Sequence, residues 1–349
     1  MARDNFTIPT KTALAKRAGW RCSFPGCKAV TVGPSEEDSA AIANTGEAAH
    51  ISAAAGGPGA RRYVATLMPE ERSSIENGIW CCNTHAKLID TDEVSYTIPM
   101  LTQWKLLAER RAALRQAYGD IDFTYHRELI PLGLAPESLS LISDMEMNER
   151  IGLSVRHSYL AEICGHEAAD AVRDFLIEHA RNAFSHGGAM SVGIEFTSNA
   201  ITVVDDGAAF TVSDLAAPES RGGGLAYRAL LETKQLGHAS SRRFDGQNHV
   251  HIPFVLNVGE LPRVNPCAVA LNHSDIRGGT LNVAQFVSCD RAFVIAPDFA
   301  VYSDGPLYES ALQKIVTEHP NVVLIFPNAS WRVIEHYRQL FPRAKVETW

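Results

Sequence analysis

Two pairs of metal-binding donors stand far apart in the chain, Cys22-Ser-Phe-Pro-Gly-Cys27 and Cys82-Asn-Thr-His85. Paired thiolate and imidazole donors at such spacings are the usual way to assemble a tetrahedral zinc site. Cys81 offers itself beside Cys82; Cys82 is preferred because C-x-x-H is a standard half-site. Between the pairs lie His50, in Glu47-Ala-Ala-His50-Ile, and Asn77, in Glu76-Asn77-Gly-Ile-Trp. An imidazole that titrates near neutrality can take a proton from water. A second set of chemistry-bearing residues follows. Glu178 and Asn182 are spaced to share one helix face, Asp205 ends an apolar run two residues before Gly207, and Gly222-Gly-Gly224 opens another apolar run. A carboxylate, an amide and glycines that let a backbone approach phosphate at a helix start are the parts of a nucleotide pocket.

Elements must place these groups. Apolar residues at helical spacing predict a helix over 166–185, with Glu178 and Asn182 on a neighbouring stripe. Strands are expected at 190–196 and 200–204, turning at Ser198-Asn199, and a helix at 225–233. Lys234–Phe254 carries Arg242, Arg243, His249 and His251; the alternating histidines read as a strand edge. The runs 291–296 and 321–326 read as buried strands, with helices at 307–318 and 330–340, which is a small parallel α/β layer. Proline, glycine and lost periodicity mark 119–140 as a linker. The expected organisation is multidomain α+β: 1–118 a zinc domain, 141–261 a nucleotide-binding domain, and 262–349 a small α/β domain for a partner or assembly.

The first segment resembles the HNH (ββα-metal) nucleases in A-H-I, G-G-P and N-G-I-W-x-C-x-x-H-x-x-x-I-D, from Cys22 to Trp104-Lys105. The resemblance implies a structural zinc on Cys22, Cys27, Cys82 and His85, with His50 as general base and Asn77 fixing its imidazole. It also implies a divalent ion, Mg²⁺ or Mn²⁺, at the scissile phosphate. Two usual ligands of that ion are replaced by Ala49 and Ala86, leaving Asp90 or Glu47 as substitutes. The middle segment resembles the GHKL (Bergerat-fold) ATPases through E-x-x-x-N, D-x-G and G-x-G-L, with Ala209 where that family has a second glycine. That resemblance implies an α/β sandwich holding ATP: Asn182 on Mg²⁺, Glu178 on the attacking water, Asp205 on the adenine amino group, and Gly207, Gly222 and Gly224 around the nucleotide.

Composition sets bounds. The 349 residues carry a formal charge of −8, so contact with DNA requires a local basic patch. Lys11, Lys16, Arg17, Arg21, Lys28, Arg61, Arg62, Lys105, Arg110 and Arg111 supply candidates, against the alternative of a solvated helix face. Seven cysteines, an odd number over a long chain, argue against a secreted disulfide framework, and no apolar run reaches membrane length. The expectation is a cytoplasmic, prokaryotic, ATP-regulated HNH endonuclease acting on DNA as an anti-phage effector. Assembly as a homodimer or larger is expected, with a partner protein at the C-terminal region and no membrane. The alternative is an ATP-dependent binding or signalling module on an inactive HNH platform. A histidine kinase is a weaker third reading, since no phospho-acceptor helix precedes the ATP domain.

Overall fold

The computed structural model describes residues 3–120, 132–213, 222–233, 236–278, 281, 284–319 and 321–349. The fold is mixed α and β in two units, Met1–Ala135 and Pro136–Trp349. Residues 121–131 of the expected linker and Lys234 lie outside the described residues.

In the first unit, α1 (Ile8–Arg17) starts where the Thr7 hydroxyl accepts from the Thr10 amide at 3.2 Å. A small antiparallel pair, β1 (Val32–Pro34) and β2 (Ile42–Asn44), precedes the central ribbon. That ribbon is β3 (Gly46–His50), then α2 (Pro69–Arg72), then β4 (Gly78–Cys82), which runs directly into α3 (Asn83–Ile89). The strands pair antiparallel with Gly46 opposite Cys82 and His50 opposite Gly78. Both glycines are required by packing. A Cβ on Gly46 would lie 2.3 Å from Trp80 Cζ2, and one on Gly78 would lie 2.4 Å from Leu14 Cδ1. Phe6, Leu14, Ala15, Ala18, Ala48 and Trp80 form the core on this side. The long helix α4 (Ile98–Tyr118) ends at Gly119, whose φ of 79° suits glycine.

The second unit opens with β5 (Glu137–Leu141), a strand within residues read as linker, and continues with α5 (Met147–His157), α6 (Leu160–Cys164) and α7 (His166–Ser185). Then come β6 (Val192–Phe196), β7 (Ala200–Asp205), α8 (Gly222–Glu232), β8 (Ser240–Phe244) and β9 (Gln247–Pro253). These strands make one antiparallel sheet ordered β5-β6-β7-β9-β8. The alternation is legible in burial: Val192, Ile194 and Phe196 are inside, and Glu195 is exposed.

The chain goes on through α9 (Leu261–Val264), β10 (Ala268–Ala270), α10 (His273–Gly278), β11 (Ala292–Ile295), α11 (Gly305–Glu318), β12 (Val322–Ile325), α12 (Trp331–Leu340) and β13 (Lys345–Glu347). Its strands form a parallel sheet in chain order. Every residue of β11 and β12 is buried, because both faces are covered. Ala292 and Val294 pack into one cluster, Phe293 and Ile295 into the other. The two sheets of this unit are joined at a corner, where the Asp290 amide donates to the Ser241 carbonyl at 2.8 Å and the Ser241 amide to Asp290 Oδ1 at 2.6 Å. A disulfide, Cys267–Cys289, closes beside it. Among the described residues no helix is long and apolar enough to cross a membrane.

Candidate functional site

Cys22, Cys27, Cys82 and His85 meet with their donor atoms all within 4.8 Å of one another. The first pair sits on a knuckle: the Cys27 amide closes a turn on the Phe24 carbonyl at 3.0 Å, and Gly26 takes φ 74°. The second pair is placed by the strand-to-helix junction, where Cys82 ends β4 and His85 lies in the first turn of α3. Phe24 stacks on the His85 ring at 3.8 Å, and the Ser23 amide donates to the Trp80 carbonyl at 2.9 Å, so the halves are clamped together. His85 Nδ1 lies 3.1 Å from Cys82 Sγ and 3.5 Å from Cys22 Sγ. These are the separations of neighbouring corners around an ion with bonds of about 2.0–2.3 Å. The neighbouring Cys81 thiol donates a hydrogen bond to the Cys22 sulfur, which brings the Cys22 thiol down to about 4. The hydrogen bond with Cys22 and burial hold Cys81 well above the usual range, and its sulfur is not among the four clustered donors. Burial holds Cys27 up at about 11, so binding a metal there releases a proton. The donor set fits zinc.

His50 occupies the opposite end of the ribbon, roughly 13 Å along β3 from the strand end that faces Cys82. Its ring stacks on Phe6 at 3.9 Å, and Nε2 donates to the Asp4 carbonyl at 3.2 Å. Nδ1 therefore keeps the lone pair. Burial pulls the imidazole down to about 4, so it is neutral at physiological pH. Asn77 does not reach this ring. Its Oδ1 accepts from the Ser52 amide at 2.8 Å, and its Nδ2 donates to the Ser52 and Arg72 carbonyls, each at 2.9 Å. The imidazole is oriented by Phe6 and Asp4; Asn77 instead fixes the backbone that leaves His50.

His50 and Asp90 line one cavity of about 310 Å³ with Arg3 and the loop from Ala53 to Arg62. Arg62 was a candidate for phosphate contact, but it is spent internally. Its guanidinium donates to the Ile51 and Ile89 carbonyls at 2.8 Å each and stands 3.7 Å from Asp90 Oδ1. Arg17 pairs with Glu109, and Lys105 donates to the Ile75 carbonyl, so the basic surface is thinner than the sequence suggests. Among the described residues, Cys22, Cys27, Cys82 and His85 are the only Cys/His/Asp/Glu group arranged to hold a metal. Asp90 and His50 alone are too few to fit a resident ion. Glu47 faces Cys81 in the β3–β4 register, at the other end of the ribbon from His50.

In the second unit, Asn182 on α7 and Asp205 at the end of β7 line a cavity of about 310 Å³ with His186, Phe210 and Asn248. Asp205 is buried and receives three hydrogen bonds: His179 Nε2 at 3.1 Å, Asn248 Nδ2 at 2.8 Å and the Gly207 amide at 3.0 Å. Burial pushes this carboxyl up, but the bonds from His179, Asn248 and Gly207 leave it below its usual value. A carboxylate has about four acceptor positions, so one stays open for a ligand donor. Asp206 faces elsewhere and accepts from the Met190 and Ser191 amides. Gly207 is held by Arg243, which donates to its carbonyl at 2.7 Å. Gly222 and Gly224 lie in the first turn of α8, so that helix begins three residues before the expected Leu225. A Cβ on Gly222 would stand 3.0 Å from Glu178 Oε2, which brings α8 directly against α7. Glu178 and Gly222 are neighbours of each other but do not line the Asn182–Asp205 cavity.

Sequence reading missed His179 and Asn248 as Asp205 partners, and Phe6 and Asp4 as supports of His50. His179 had one available signal, since it directly follows Glu178 on the face turned inward. Comparison with family models, with curated proteins and with solved structures gives no significant match to this chain.

Proposed function

We propose that this chain is an ATP-regulated HNH-type endonuclease that cleaves DNA, a prokaryotic anti-phage effector in which a Bergerat-type domain binds the nucleotide. The observation that carries the reading is the shared cavity of Asn182 and Asp205, residues from separate stretches, with the Gly222 turn set against Glu178 on the same helix. Asp205 takes the adenine amino group on its open acceptor position, and Asn182 faces Mg²⁺ when Mg²⁺–ATP is bound. In the first unit zinc holds the knuckle, and His50 Nδ1 accepts the proton of the attacking water. Arg3 lines the same cavity and offers charge to the phosphodiester. A second divalent ion would polarise that phosphate. His50 has no lone pair left for such an ion once Nε2 is on Asp4 and Nδ1 takes the proton, so Asp90 alone would remain beside substrate oxygens and water to hold it. Nucleotide-driven homodimer closure, in a cytoplasmic protein, is the coupling proposed between the two activities.

One observation favours a second reading, an ATP-dependent binding module on an inactive HNH platform. Ala49 and Ala86 are both buried where the resembled family carries ligands, and no further metal-holding group is found among the described residues. Supercoiled plasmid with Mg²⁺ or Mn²⁺, with and without ATP, decides between them. The nuclease reading expects nicking that needs ATP and is lost in His50→Ala and in Asp205→Asn. No cleavage by zinc-loaded protein that still binds ATP and DNA makes the first unit a platform.

A further inference from the structure

A second cavity of the Pro136–Trp349 unit, about 300 Å³, opens at the amino ends of the parallel strands. It is lined by Arg291, Arg343 and Lys345 together with Ser213, Tyr227 and Asn321, and by no acidic residue. Arg291 is 9% exposed. Its Nη1 donates to the Gly237 and Ala239 carbonyls at 3.0 and 2.8 Å, and its guanidinium lies 5.1 Å from the Phe293 ring centre. No carboxylate pairs with Arg291 or Arg343 among the described residues. The buried carboxylate of the adjoining Asp290 is held by the Ser213 amide and hydroxyl and the Ser241 amide, not by an ion pair with Arg291, and an anion in the cavity would give the guanidinium a direct partner. Tyr227 adds an independent sign. It is 1% exposed, it lines the cavity, and its hydroxyl makes no hydrogen bond of normal geometry although the Ser213 and Arg291 side chains stand beside it. Lys345 is already paired with Glu347 at 2.8 Å, so the unbalanced charge comes from the two arginines.

We propose that this cavity is a binding site for a phosphate group of a small ligand, separate from the Asn182–Asp205 cavity. Two forked guanidinium groups match phosphoryl oxygens better than a single ammonium does. The Tyr227 hydroxyl and the second N–H of the Asn321 amide supply neutral donors, while the Ser213 hydroxyl is already given to Asp290 Oδ2 at 2.9 Å. Both cavities touch helices of the same packed pair: Tyr227 and Leu231 of α8 line this one, and Asn182 of α7 lines the other. A phosphate here therefore bears on the helix whose first turn abuts Glu178.

The test is calorimetric titration of the full chain with inorganic pyrophosphate in phosphate-free buffer. Saturable binding is expected, weakening with added salt and falling by about tenfold or more in Arg343→Ala/Lys345→Ala. Both changed residues are exposed, and far-UV circular dichroism confirms the fold. Tyr227→Phe, which keeps the ring, is expected to weaken binding measurably, whereas Asn182→Ala leaves it unchanged. Absence of saturable heat up to about 10 mM overturns the site. So does wild-type affinity in the double variant, or a loss caused by Asn182→Ala in its place.

Discussion

His50 gives its Nε2 proton to the Asp4 carbonyl and one ring face to Phe6, so protonating it in the folded state means charging a buried ring. Burial lowers it from 6.5 to about 4. Below the ordinary histidine value the unfolded chain takes the proton first, so stability falls as pH drops from about 6.5 to about 4 and is fully present above that window. The displacement corresponds to about 3 kcal/mol. Zinc-saturated wild type and His50→Gln, unfolded by urea at a series of pH values, should therefore diverge across that window, with wild type losing more. Parallel curves would show that the ring is not held as described. Asp205 makes the complementary case. Asp205→Ala leaves buried donors of His179, Asn248 and Gly207 without their acceptor, at about 1–3 kcal/mol for each group left unpaired. Lower urea midpoint together with loss of the thermal shift given by ATP is the expected result. Retained ATP stabilisation would remove Asp205 from the proposed nucleotide site.

The β3–β4 ribbon carries the knuckle donor Cys82 at one end and His50 at the other, and its close packing depends on two bare glycines. Gly46→Ala would drive a methyl group to 2.3 Å from the Trp80 ring, whose Nε1 is tied to Thr31 Oγ1 at 2.9 Å and cannot easily retreat. Overpacking of this kind costs about 1–3 kcal/mol. Gly33→Ala on β1 meets nothing within 4 Å and serves as the control, expected to change stability by no more than about 0.5 kcal/mol. Equal melting temperatures for the two variants would refute the packing argument. These elements were unevenly legible in the sequence. Helix α7 has the bounds His166–Ser185 that its periodicity gives, and the apolar runs at 291–296 and 321–326 contain β11 and β12. Paired donors announced the Cys/His cluster because both halves of each pair are local. Asn77 and Arg62 were misassigned for the opposite reason: their partners, Ser52 for one and Ile51, Ile89 and Asp90 for the other, are set by the ribbon's fold and leave no local pattern. Cys267–Cys289 was missed likewise, since only the return of the chain along the parallel sheet brings the two together. β5 was lost in a linker because Glu137-Ser-Leu-Ser-Leu alternates over only five residues.

At the scale of the whole chain, the two units differ in what holds them. Met1–Ala135 has buried apolar residues that include Phe6, Leu14, Trp80, Leu101 and Trp104, with its knuckle, β4 and α3 tied at one Cys/His centre. Pro136–Trp349 has two sheets, extensive apolar clusters and a disulfide, and no metal centre among its described residues. A domain whose ligands come from two distant segments gains the metal's binding energy as folding energy, because the unfolded chain presents no assembled site. Chelation should therefore act on one unit only. Scanning calorimetry of the zinc-loaded chain is expected to resolve two transitions, and excess 1,10-phenanthroline should lower or abolish one while leaving the other in place. Cys82→Ser, which removes the donor at the strand-to-helix junction, should reproduce the chelated trace without chelator. Cys81→Ser should be far milder, since Cys81 supports the cluster without belonging to it. If chelator moves both transitions together, the units do not unfold independently. If it moves neither, the four residues are neighbours without a metal, and the first unit's stability must come from its apolar core, ion pairs and hydrogen bonds.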